Sequence, residues 1–195
     1  MDALDLLLGR NSAAKLCAPA PQGEALATVY QAALRAPDHA RLRPWRFLSV
    51  SEQRRAALGD LFADALALRN PRATREELDK ARSKAQRAPL IIVVIASVSE
   101  HPKVPRIEQQ LSAGCAAHAM LLAAHTQGFG AIWRTGANAF DRYVMAGLGL
   151  AAHEEIIGFL YIGSVEGTLK PLPQMNITDY VREWKYYEPA QPHDT

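Results

Sequence analysis

Cysteine is almost missing from this chain of 195 residues, and the two present, Cys17 and Cys115, are too few and too far apart for a disulfide framework or a zinc site. An excess of one charge is missing as well. Lys and Arg number 22 against 20 Asp and Glu, so the formal charge of +2 calls for neither nucleic acid nor a membrane surface as partner. Long apolar runs are absent too: the longest, Ala88 to Val98, is too short to span a bilayer. Met1 to Asp5 carries no basic region of the kind that opens an export signal. These absences predict a cytoplasmic protein with reduced thiols and no membrane partner. The local signatures of phosphoryl transfer, zinc hydrolysis and serine hydrolysis are also lacking, with no Walker loop, no His-Glu-x-x-His and no Gly-x-Ser-x-Gly.

What is present is apolar material, 49% of the residues, enough to bury one sizeable core. The reading is a single domain over 1–195, with 171–195 a C-terminal extension rich in proline and aromatics, either disordered or laid across another surface. Helical spacing opens the chain at Asp2 to Gly9, where Leu4, Leu7 and Leu8 share a face, and returns at Glu24 to Leu34. Trp45 to Val50 reads as a strand. Ser51 to Arg87 is helical again, broken at Asn70-Pro71, and its mixed-charge second half reads as a solvated face or a mobile flap. Pro89 to Ile95 is a β-branched run without alternation, the pattern of a central strand covered on both faces. Pro105 to Thr126 is the longest helix. Its segment Cys115 to Ala124 is apolar or small nearly all round, which demands a core position or a subunit interface. Gly130 to Arg134 and Ile156 to Ile162 are further strands, with a helix near Phe140 to Leu148 between them.

Gly128-Phe129-Gly130 leaves a helix and enters a strand, the reverse of a dinucleotide fingerprint, so it reads as a helix cap. His118 and His125 lie seven residues apart with no carboxylate to complete a ligand set, and no metal is expected. Three other places could carry chemistry. Arg10-Asn11-Ser12 offers a forked cation and a hydroxyl suited to a phosphate dianion, or else a simple C-terminal cap for the first helix. His39 follows a helix-ending proline in a loop, where binding residues concentrate. Trp133-Arg134-Thr135 closes a strand at the end where ligands of such sheets sit, or packs an edge.

Taken in order, Arg10-Asn11-Ser12, Arg35-Ala36-Pro37-Asp38-His39 with Pro44-Trp45-Arg46-Phe47, Lys103-Val104-Pro105-Arg106 with Ser112 to Ala116, and Gln127 to Arg134 resemble the nitroreductase family, closest to its small YdjA-type branch. The resemblance extends over most of the chain. It implies an α+β fold with a mixed central β-sheet wrapped by helices, and a homodimer with FMN at the subunit boundary. It places Arg10, Asn11 and Ser12 on the phosphate and ribityl side of the flavin, with Trp133, Arg134 and Thr135 beside them. It places Arg35 and His39 on the same cofactor, His39 donated by the partner chain. The stretch Ala123, Ala124, His125, Thr126, Gln127 and Gly128 is the one the branch associates with the nicotinamide of NADH or NADPH. Two departures stand out: Asn11 replaces a frequent second arginine, and Arg41 and Arg43 stand where larger relatives have Asn and Gln.

The activity so implied is that of an FMN-dependent NAD(P)H oxidoreductase, a ping-pong enzyme passing hydride to nitroaromatic, quinone or similar small acceptors. No catalytic side chain is needed, because flavin N5 carries the hydride. Left open are a flavin dehydrogenase or dehalogenase on the same scaffold and a flavin-binding or regulatory module with little turnover.

Overall fold

A computed structural model describes residues 2–184. Its spine is β3 (Leu90–Ser97), every residue of which through Ala96 is buried. Alternate side chains enter different cores: Ile91, Val93 and Ile95 on one face, Leu90, Ile92 and Val94 on the other. The unbroken β-branched run is thus a strand sandwiched between two helical layers. β2 (Trp45–Ser51) flanks it on one side and β5 (Glu154–Val165) on the other, both antiparallel. β5 also pairs with β4 (Gly130–Arg134) and, at its end, with the two-residue β1 (Leu16–Cys17). Among the described residues all four ladders are antiparallel, and the one parallel pairing is the isolated bridge Ser12 to Ala131. A register shift beside Val94 and Ile95 inserts an extra residue into β5 and brings Ile156 and Phe159 to one face despite their odd spacing.

One face is covered by α3 (Arg54–Arg69) and α6 (Arg142–Gly147), where Phe62 meets Phe159 edge to face at 5.4 Å. The other is covered by α2 (Gly23–Ala33) and α5 (Arg106–Thr126). α4 (Arg75–Ser83) starts with a Thr74–Glu77 capping box. It carries the mixed-charge run as a solvated face tied down by Arg82, which pairs with Asp60 and Asp79 at 2.7 Å each. The predicted helix at Phe140 to Leu148 begins instead as a short 3₁₀ turn, Ala137–Phe140, followed by α6.

Helices of the chain keep apolar faces open. α1 (Ala3–Gly9), capped by Asp2, leaves Leu4, Leu7 and Leu8 67%, 57% and 76% exposed, so its apolar face does not enter the core of its own chain. α5 buries Ala113, Ala116, Ala117, Met120 and Ala124 but exposes Ile107, Leu111, Cys115 and His118 at helical spacing along the opposite side. Residues 171–184 of the extension are exposed throughout and include one 3₁₀ turn, Ile177–Asp179; residues 185–195 lie outside the described residues. Among the described residues no helix is long and apolar enough to cross a membrane.

Candidate functional site

The N-terminal segment leaves α1 at Arg10, whose backbone N–H bonds to Leu6 O at 3.1 Å and caps the helix. Its side chain is half-buried and makes no ion pair or hydrogen bond among the described residues. Asn11 turns the chain: its Nδ2 donates to Lys170 O at 2.5 Å and its Oδ1 accepts from Ser12 N at 2.8 Å. Ala13 N then donates to Ala131 O at 3.0 Å, which fastens the segment to β4 and leaves the Ser12 side chain exposed. Two of the three residues, Asn11 and Ser12, line a cavity of about 370 Å³ with Lys15, Ile132, Glu166 and Lys170.

That cavity runs on. Ala14, Lys15 and Glu166 also line a second one, with Gln86, Arg87 and Arg134, and these two arginines continue into a third of about 330 Å³. The third is walled by Phe62, Lys84, Thr135, Gly136, Asn138, Phe159 and Tyr161. The three form one trough from the Asn11 turn to the end of β4, bordered by Lys15, Lys84, Arg87, Arg134 and Lys170 against the single carboxylate of Glu166. Among the described residues no ion pair engages any of those five cations.

Electrostatic crowding follows. Burial, with Arg87, Arg69 and Lys80 nearby, lowers the Lys84 ammonium below its ordinary range. Burial raises the Tyr161 phenol, while Arg87 and Arg134 pull it back, so the hydroxyl keeps its proton near neutrality. Arg134 lies 5.9 Å from the Tyr161 ring centroid, and its Nε is buried with no partner among the described residues. A free donor within a knot of like charges is chemistry suited to an anionic, hydrogen-bond-accepting group.

Lys84 and Arg87 escaped the sequence reading because they lie in a charged stretch typical of a surface. The one available signal was their position just before the central strand. Trp133 behaves differently from its neighbours. Successive residues of β4 face opposite sides, so its indole turns to the α5 side and donates to Ile157 O at 3.3 Å while Arg134 faces the trough.

Arg35 and His39 do not join the trough of their own chain. Arg35 lines a separate cavity with Arg41, Arg43 and Trp45. His39 lines another, of about 220 Å³, against the first half of α5. Ala123 to Gly128 form the capped end of α5: Thr126 Oγ1 and Gln127 Nε2 each donate to Ala123 O at 2.9 Å, and Gln127 also reaches Ala25 O of α2. Gly128, at φ 80°, donates to His125 O and ends the helix as expected. These six residues line none of the five cavities described here.

The chain matches the model of the Nitroreductase family over residues 8–164. It is 42% identical over 179 residues to the Escherichia coli K12 protein named "Putative NAD(P)H nitroreductase YdjA", covering 92% of this chain and 96% of that one. A Haemophilus influenzae protein of the same descriptive name is 38% identical over 84% of this chain and 89% of its own length. Among solved structures, a nitroreductase-like family protein from Bacillus cereus superposes with a TM-score of 0.80 at 21% identity, covering 94% of this chain and 96% of that one. A Bacteroides fragilis nitroreductase with bound FMN superposes at 0.71 and 18% identity, covering 95% and 100% respectively, which speaks to the fold alone. Model, relatives and fold agree, and the chain belongs to the nitroreductase family.

Proposed function

We propose that this oxidoreductase-family chain is an FMN-dependent NAD(P)H oxidoreductase that works by a ping-pong cycle on electron-poor acceptors such as nitroaromatics and quinones. The observation that carries the reading is the cationic trough, with its unpartnered Arg134 Nε and its crowded Lys84. A flavin mononucleotide has the matching shape and polarity: a phosphate dianion at one end, a hydroxylated linker, and a flat ring edged with acceptors. Arg10, the Ser12 hydroxyl and Lys170 would hold the phosphate end, and Lys15 the linker. Lys84, Arg134 and Thr135 would border the ring. When bound, FMN supplies the two-electron hydride chemistry that no side chain offers.

The chain's own share is orientation and charge. Lys84, Arg87 and Arg134 would place positive charge beside a bound ring and so would favour its gaining negative charge, and the apolar wall of Phe62 and Phe159 would strengthen that effect by excluding water. Tyr161 retains a phenolic proton that can be donated to a bound acceptor atom. Arg35 and His39, remote from their own trough, would serve the trough of a second copy. A homodimer would also cover Leu4, Leu7 and Leu8 on α1 and the Ile107–Leu111 side of α5. The nicotinamide donor and the acceptor would then take turns on the open ring face.

Steady-state oxidation of NADH and NADPH with a quinone as acceptor tests the assignment. Turnover with parallel double-reciprocal lines is expected. Flavin that binds yet is reduced only sluggishly would favour a binding module instead.

A further inference from the structure

We propose that Glu108 is a positioning residue that fixes the tautomer and direction of the His39 ring, so that Nε2 is the atom offered to a bound flavin. The proposal rests on the flavin reading only for what Nε2 meets. Glu108 Oε2 lies 2.8 Å from His39 Nδ1. An ionised carboxylate only accepts hydrogen bonds, so the Nδ1 facing it bears the proton and Nε2 is left free on the far side of the ring. Glu108 stands in the first turn of α5, where the helix dipole favours its charge.

The grip is part of a two-point clamp. One helical turn on, Ser112 Oγ donates to Pro37 O at 2.5 Å, so residues four apart on one face of α5 hold the loop at Pro37 and at His39. From the other side, the Asp38 carboxylate accepts Leu42 N at 3.0 Å and Arg43 N at 2.8 Å. Asp38 thus faces the backbone, and among the described residues the imidazole bonds to Glu108 and not to Asp38. Ala40 and Arg41 sit at φ 59° and 55°, left-handed positions that persist only in a loop determined by its surroundings.

Stability does not account for the pair. The side chains of His39 and Glu108 are 55% and 44% exposed, and ion pairs so open to water contribute little to folding. A weak contributor to the fold, aimed by two further clamps, is better explained by what it presents.

Wild type, Glu108→Ala and Glu108→Gln are each compared for His39 tautomer by ¹⁵N NMR of the imidazole and for FMN affinity by fluorescence titration, and His39→Ala and the double variant H39A/E108A for FMN affinity alone. The Gln amide oxygen can still accept from Nδ1–H, so E108Q should keep the tautomer and near wild-type affinity. E108A should lose the Nδ1–H preference and weaken FMN binding about three- to tenfold, the range of one hydrogen bond, with unchanged apoprotein unfolding. His39→Ala should remove most of the same affinity, and H39A/E108A should be no weaker than H39A alone. Wild-type behaviour in E108A, or E108Q as impaired as E108A, overturns the proposal. Wild-type protein indifferent to FMN sinks the flavin reading, and the tautomer measurement then decides Glu108's hold on its own.

Discussion

Arg46 on β2 reaches across β3 and grips Glu154 of β5 with two hydrogen bonds, Nε to Oε1 at 2.5 Å and a terminal nitrogen to Oε2 at 2.6 Å. Ala151 N adds a third at 2.9 Å, and Glu154 is only 6% exposed. The hydrogen bonds from Arg46 outweigh burial and bring the carboxyl from 4.5 down to about 2.

A carboxyl whose folded value is depressed contributes its full stabilisation above its unfolded value and loses it as pH falls through the folded one. Stability should therefore decline between pH 4.5 and about 2 on this account. Discounted for the part-exposed Arg46 partner, the contribution at neutral pH is about 2 kcal/mol. Urea denaturation across a pH series checks it: Glu154→Gln should be destabilised by about that amount at pH 7 and should show a flatter acid limb. Parallel pH curves for the two proteins would count against the assignment.

Trp133 packs where a side chain at position 158 would stand. A Cβ built on Gly158 lies 2.1 Å from Trp133 Nε1, and the indole is wedged between the sheet and α5. Gly158→Ala should cost about 1–3 kcal/mol through overpacking. Trp133→Ala in the same chain should recover part of that loss, so the double variant is more stable than the sum of singles predicts. Additive losses in denaturant melts would show that the two positions do not compete for space.

Removing Lys84 from the wall of the trough, or Arg10 from the turn that leads to its other end, should loosen the flavin without loosening the fold. Arg10→Ala and Lys84→Met are each expected to raise the FMN dissociation constant about tenfold, the loss of one charge-assisted hydrogen bond. K84M should leave thermal stability equal or slightly higher, because Lys84 is crowded by Arg87, Arg69 and Lys80. Wild-type FMN affinity in R10A would return that arginine to a capping role.

A second copy is expected on the open side of α5. Leu111, 62% exposed, lies on the stripe with Ile107, and Leu111→Glu should shift a dimer toward monomer in sedimentation and weaken flavin retention with it. A wild-type protein that sediments as a monomer would remove Arg35 and His39 from the flavin account.

Much of this architecture is legible from residue pattern. Leu90 to Val94 reads as a doubly covered strand because nothing polar interrupts it, and Gly128 as a cap because a helix pattern ends there. The segment after Arg10 meets β4 through the Ser12–Ala131 bridge, a long-range pairing that residue pattern alone does not reveal. Lys84, Arg87 and Lys170 stayed hidden because a cation's role depends on which distant segments converge on it. The α1 leucines form the helical face that their spacing predicts, and periodicity stops there: it marks an apolar face without saying what meets it.

The most direct test is the visible absorption spectrum of the purified protein, recorded before and after addition of FMN, then after a nicotinamide donor. A yellow protein that retains flavin through gel filtration, and whose visible band bleaches with NADH or NADPH, is the predicted result. A protein that stays colourless after incubation with FMN contradicts the account.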